Sequence, residues 1–176
     1  MPYLAGERTP LWRADVRGAF HGLSRAHRPD DFLWSALEGV AMAVRDIFAI
    51  ARKGGAETLT EVHVSGGGAR SNAWCQIKAD VLGVPVVRTP HRQTGLIGAA
   101  IAGAVGLGWH PTLAAAAGAM CPVERVFEPQ AALASFYATR AERYDNAKRH
   151  AVEEADAALR PGFTRSRRVR ASGART

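Results

Sequence analysis

Residues Val62–Asn72 read Val-His-Val-Ser-Gly-Gly-Gly-Ala-Arg-Ser-Asn, and no other stretch limits the possible fold as tightly. Leu59, Val62 and Val64 are apolar, and the two valines alternate with other residues, as in a strand. Gly66, Gly67 and Gly68 lack Cβ atoms, so the backbone can turn sharply there and a ligand can approach the main chain. Ser71 or Asn72 can cap a helix running through Trp74, Ile77 and Leu82. A strand–glycine–helix unit gathers unpaired N–H groups and the positive end of a helix dipole at one spot, where phosphates and nucleotides bind.

The signal is incomplete by itself. The dinucleotide pattern G-x-G-x-x-G requires glycine where Ser71 stands, and the mononucleotide loop G-x-x-x-x-G-K-[ST] is absent. A bare Gly-Gly-Gly-Ala fits a tight structural turn as well as a ligand loop.

The flanks extend the pattern. Pro29, Asp30 and Asp31 suit the first turn of a helix. Leu33, Leu37, Val40, Val44, Ile47, Phe48 and Ala51 continue it as one apolar stripe to Gly54. A strand is expected around Leu59–Val64, and the helix capped by Ser71 or Asn72 is expected to run to about Leu82, stopped by Gly83. A second strand is expected over Val84–Val87, and a helix from Thr94 to Val105. That last helix is rich in Gly and Ala, which predicts close packing on its neighbours. Residues 110–128 read as a loop with a helical turn near Leu113–Ala117, and a long helix as running from Gln130 to Leu159. Residues 1–28 show no period beyond a short strand near Ala19–Leu23 and look like the interior of a larger domain. Alternating strands and helices predict an α/β layer with parallel strands. Two strands make a small sheet, so the sheet is expected to be completed by chain not present here.

Charge and composition exclude several classes. The formal charge of +7 drops to +2 without residues 161–176, which hold five arginines and no acid. Basicity therefore belongs to a tail expected to be disordered, and no specific nucleic-acid face is predicted. The apolar run Phe32–Ala51 carries Glu38, Arg45 and Asp46, too many charges for a membrane span. Met1–Glu7 lacks a basic start and an apolar run, so no leader is expected. Cys75 and Cys121 form no C-x-x-C pair and read as reduced thiols of a cytoplasmic protein. The histidines show no metal-ligand spacing.

Longer motifs carry a resemblance. They are Pro2-Tyr3-Leu4-Ala5-Gly6-Glu7-Arg8-Thr9-Pro10-Leu11-Trp12, then Gly18, Phe20, Gly22 and Leu23, then Asp31, Phe32, Ser35, Ala36, Leu37 and Glu38. Together they resemble the C-terminal half of FGGY-type carbohydrate kinases, nearest the xylulose kinase branch. Gly66-Gly67-Gly68-Ala69 with Asn72 resembles that family's adenine-binding loop. Asp80–Val86, Gly98-Ala99-Ala100 and Phe127-Glu128-Pro129 continue in register. The chain departs from the family at Arg13-Ala14, at Gln93 and in the arginine tail.

The resemblance implies an actin-like, ribonuclease-H-like ATPase domain lacking its first strands, over residues 1–160. It implies ATP and Mg²⁺ as cofactors, and transfer of the γ-phosphate to a sugar hydroxyl. It assigns Gly67, Gly68, Ala69 and Asn72 to the adenosine: the base lies on the backbone, and Asn72 bonds to adenine or ribose. The sugar-binding domain and catalytic aspartate lie upstream in this family. The chain is therefore expected to be inactive alone, the product of a split or truncated gene. The rival expectation is an interaction module that pairs with a separately encoded N-terminal half or with itself. Glu7 and Arg8 are expected to form an ion pair, and Glu38 to pair with Arg17. Asp80 is expected to be a solvated or paired surface acid, and Trp74 a core residue.

Overall fold

The computed structural model describes residues 1–55, 59–91 and 93–159. The arginine-rich stretch 161–176 lies outside the described residues. The order is α1 (Pro29–Lys53), β1 (Val62–Val64), α2 (Asn72–Leu82), β2 (Val86–Arg88), α3 (Thr94–Gly106), α4 (Leu113–Met120), β3 (Arg125–Phe127) and α5 (Ala134–Leu159). Short 3₁₀ turns at Gly67–Arg70 and Ala131–Leu133 precede α2 and α5.

Local chemistry sets the helix ends. The Asp31 carboxylate accepts the Arg28 N–H at 2.7 Å and so closes the start of α1. The Ser71 hydroxyl accepts the Trp74 N–H at 3.2 Å and caps α2. Gly83, at φ +67°, ends α2 in the left-handed conformation, and its N–H reaches the Ala79 carbonyl.

The sheet has the order β1–β2–β3. β1 and β2 run parallel in the register Val62↔Val86 and Val64↔Arg88, with α2 as the crossover. β3 was not expected, and it is antiparallel to β2, pairing Val86↔Phe127 and Arg88↔Arg125. The chain leaves β2 at Arg88 and returns through α3 and α4 to pair Arg125 with that same residue, so this direction needs no further crossover. The strand expected near Ala19–Leu23 does not form. Residues 1–28 contain only isolated bridges such as Glu7↔Arg13.

Two apolar clusters hold these layers. Cys75, Ala79, Leu82, Val84, Val86 and Phe127 fill the space between α2 and the sheet, with Val44 and Phe48 of α1 against them. Ala41, Met42, Ile77, Val81, Tyr137 and Tyr144 fill the seam where α1, α2 and α5 meet. Ile77 is fully buried, a burial that contributes about 1.5–3 kcal/mol. A smaller cluster of Tyr3, Val16 and Ala155 ties the N-terminal segment to α5, and the Tyr3 and Tyr144 hydroxyls meet at 3.0 Å.

Several packing expectations change. Leu33 and Ile47 of the expected α1 stripe are exposed. Leu37, Val44 and Phe48 of the stripe pack against the core, but the deepest burial runs through Glu38, Ala41, Met42 and Asp46, because α5 packs there and brings cations to the two acids. Glu38 pairs with Arg140 at 3.4 Å and accepts the Trp34 indole N–H at 3.2 Å. Arg17 instead donates to the Ala14 and Val16 carbonyls. Glu7 makes no ion pair with Arg8 among the described residues; its carboxylate accepts the Leu11 N–H at 2.6 Å and shapes the turn. In α3 only Ala104 is buried. A Cβ at Gly98 or Gly103 would touch nothing within 4 Å, so the small residues are not used for close packing among the described elements.

Candidate nucleotide site

The site forms where β1 and β2 end side by side. At the carboxyl ends of adjacent parallel strands the emerging loops separate and leave a crevice. After Val64 the chain passes Ser65 and reaches Gly66 at φ +77°, ψ −163°, a conformation reserved for glycine. The 3₁₀ turn Gly67–Arg70 follows and leads straight into α2.

Each residue of the turn has a different environment. Gly67 has open space where a Cβ would stand. A Cβ at Gly68 would lie 2.7 Å from the Trp74 ring. That ring is fixed by its N–H on the Leu37 carbonyl at 3.2 Å and by Lys78 Nζ 4.3 Å from its centroid. Trp74 is half-buried and is the support on which the turn rests. Ala69 is buried. Its carbonyl accepts from Arg88 Nη1 at 3.1 Å and from the Cys75 thiol at 3.3 Å. Burial raises the Cys75 pKa, which keeps the thiol a donor. Cys75 and Cys121 are both free.

Asn72 stands at the first position of α2, where the helix N–H groups have no intrahelical partners. Its Oδ1 accepts from Arg88 Nη1 at 2.9 Å. Arg88 Nη2 pairs with Glu124 at 2.9 Å, and Arg88 Cζ lies 5.4 Å from the Phe127 ring centroid. The Arg88 Nε is buried without a partner among the described residues.

An open cleft of about 510 Å³ runs beside this main chain. Ser65, Gly66, Ala69, Arg70 and Asn72 form one wall; Arg88, Thr89, Pro90, His91 and Glu124 form the other. His91 is held by a 2.6 Å contact with the Met120 carbonyl at the end of α4. Of the four residues singled out in the sequence, Ala69 and Asn72 line the cleft. Gly67 faces open space and Gly68 is turned against Trp74. Arg88, His91 and Glu124 were missed. Arg88 was detectable, as the last residue of a strand parallel to β1 necessarily ends near the glycine turn. Glu124 was not, because β3 was not seen.

Asp80 stands away from the cleft. Among the described residues, no group of three or more His, Cys, Asp or Glu side chains could hold a metal ion.

Comparison with known proteins gives a consistent result. The profile of the FGGY family of carbohydrate kinases, C-terminal domain, matches residues 1–107. A xylulose kinase of Staphylococcus epidermidis is 41% identical over 128 residues, covering 73% of this chain and 26% of that enzyme. A xylulose kinase of Bacillus subtilis is 32% identical over 149 residues, covering 85% of this chain and 30% of the relative. The crystal structure of xylulose kinase from Rhodospirillum rubrum superposes with a TM-score of 0.77 at 28% identity, over 89% of this chain and 31% of that one. The chain thus spans less than a third of the length of each of these kinases. The mixed sheet with its flanking helices has the actin-like ATPase fold of that C-terminal domain. The chain belongs to the FGGY family of carbohydrate kinases, and its matched part is that family's C-terminal domain.

Proposed function

We propose that the cleft beside the glycine turn holds the adenosine of ATP, and that the chain is the ATP-side part of a sugar kinase of the xylulose kinase type. The observation that carries this reading is the open 510 Å³ space lined by Ser65, Gly66, Ala69, Arg70 and Asn72 of the turn. A nucleoside can reach that backbone because nothing occupies the position of a Gly67 Cβ. In this reading the base lies along Gly67, Gly68 and Ala69, with Gly68 acting through its contact with Trp74. Asn72 bonds to adenine or ribose, and Arg70 lends positive charge to one wall, while Arg88 is paired with Glu124 on the other.

ATP supplies the phosphoryl group that the complete kinase passes to a sugar hydroxyl, and phosphoryl transfer relies on positioning and charge stabilisation. Mg²⁺, implied for the complete kinase, would offset charge on the phosphates there; no cluster of three His, Cys, Asp or Glu side chains that could hold it occurs among the described residues. The sugar-binding half and the aspartate base belong to the part of the kinase that this chain does not span, so the chain alone has no turnover. Residues 1–160 form the domain, and 161–176 are a basic appendage with no specific nucleic-acid role. Among the described residues no helix is long and apolar enough to cross a membrane; a cytoplasmic location is part of the proposal.

Calorimetric titration of the full chain with ATP tests the reading. Saturable binding, displaced by adenosine, is expected; absence of binding overturns it. Robust phosphorylation of xylulose by the chain alone would contradict the assignment of the base to another segment.

A second reading is favoured by an open groove of about 970 Å³ that includes Met1, Leu4, Phe20, Leu23, Phe32 and Trp34. In it the chain is an interaction module whose groove is covered by a separately encoded N-terminal half of the kinase, or by a second copy. A stable monomer in size-exclusion chromatography, indifferent to the added N-terminal half, counts against it.

A further inference from the structure

The Asn72 amide is held in one sense only. A guanidinium donates and never accepts. Arg88 Nη1 lies 2.9 Å from the Asn72 side-chain atom and 3.1 Å from the Ala69 carbonyl. The Asn72 atom facing Arg88 is therefore the oxygen, because the reversed amide would set donor against donor. Nδ2 is left without a partner among the described residues, on a side chain that lines the cleft.

Arg88 cannot easily move away. Its backbone is locked into the ladder between Val64 and Arg125. Its other terminal nitrogen is tied to Glu124 at 2.9 Å, and its side chain is 13% exposed. The planar fork thus reaches the glycine turn, the first residue of α2 and Glu124 just before β3 at once, a span that a lysine cannot copy.

We infer that Arg88 is a positioning residue of the nucleotide site: it fixes the Asn72 amide so that Nδ2 donates to a ring nitrogen of the purine. This rests on the reading of the cleft as the adenosine site. The site then presents a fixed donor to the base. Adenine N1, N3 and N7 accept such a bond, whereas a carbon at the same ring position does not. An amide free to rotate would offer either end and would lose that discrimination. Arg88 itself acts through Asn72 and Ala69 and is not a catalytic residue.

The test titrates the full chain, by calorimetry, with ATP and with its 1-deaza, 3-deaza and 7-deaza analogues. In the wild type one analogue binds about tenfold or more weakly than ATP. Asn72→Asp keeps an oxygen for Arg88 but removes the donor. Its ATP affinity falls to that of the discriminated analogue, with no loss of melting temperature. Arg88→Met retains the aliphatic bulk and frees the amide, so the ratio between ATP and that analogue falls toward one. A purely structural Arg88 would weaken ATP and all three analogues by the same factor, and that result overturns the inference. Equal wild-type affinity for ATP and all analogues also overturns it while leaving the nucleotide reading intact. A wild type that binds no ATP overturns both.

Discussion

Asp80 accepts the backbone N–H of Gln130 at 2.8 Å, across fifty residues of chain. The same carboxylate accepts the Gln130 side-chain amide at 3.1 Å and that of Gln76 at 3.0 Å. A helix acid that sequence pattern assigns to the surface is thus buried, and it fastens the chain as it enters α5.

Replacing Asp80 with alanine removes the acceptor that the part-buried Gln130 N–H, the Gln130 amide and the Gln76 amide share at the start of that last helical segment. The expected loss is about 1–3 kcal/mol of folding stability, measured as a lower urea midpoint at unchanged slope. Asp80→Asn keeps an accepting oxygen and is expected to lose less. Equal midpoints for the wild type and the alanine variant would refute the anchoring role.

Gly68→Ala places a methyl group 2.7 Å from a Trp74 ring that has little room to retreat. Overpacking of this kind costs about 1–3 kcal/mol, and the displaced turn should weaken ATP binding as well. Gly67→Ala meets only open space. It should leave the melting temperature near that of the wild type while reducing ATP affinity. The contrast between the two variants, read by melting and titration together, separates support of the turn from contact with the base.

Asp46 is the acid on which α1 and α5 converge. Lys148 reaches it at 2.6 Å and Arg45 at 2.9 Å, and both cations also contact Asp145. Burial disfavours the Lys148 ammonium, but its bonds to Asp46 and Asp145 outweigh that, and its pKa is raised. Asp46→Ala is expected to cost about 1.5–3 kcal/mol, the range for hydrogen bonds to charged groups. Because Asp46 is buried, most of that loss should persist when denaturation is repeated in about 1 M salt.

Tyr137 makes the alkaline limb of stability readable. Burial, reinforced by the negative charges of Glu38 and Asp80, pushes its hydroxyl up to about 12 from the ordinary 10.0. The folded protein therefore disfavours the phenolate more than the unfolded chain does. The resulting stabilisation is complete below pH 10 and is lost as pH climbs toward about 12. Tyr137→Phe removes this titration. Thermal melts between about pH 9 and 12 should show a shallower decline for the variant than for the wild type.

The sequence made the central strand–turn–helix unit legible because three independent signals coincide there: alternating valines, three glycines and a capping residue at Ser71 or Asn72. β1, α2, the Gly83 stop and the parallel β2 follow from the same local chemistry. β3 was not legible. Arg125-Val-Phe is three residues long, and only its pairing with β2 makes it a strand. The burial of Asp46, Glu38 and Asp80 was hidden as well, since their partners Lys148, Arg140 and Gln130 lie far along the chain. Arg88 stands at the border: its position could be inferred from the β1–β2 pairing, but its grip on Asn72 needs side-chain coordinates.

The α3–α4 hairpin leans chiefly on itself. Leu96, Leu107, Trp109 and Leu113 around it stay more than half exposed. Helices so poorly buttressed open without waiting for the remaining chain to unfold. Amide deuteration should sweep through residues 94–120 well before it reaches α2, and limited proteolysis should nick this region first. The polypeptide then behaves as two cooperative units of unequal tenacity, with the strand-and-glycine centre in the slower one.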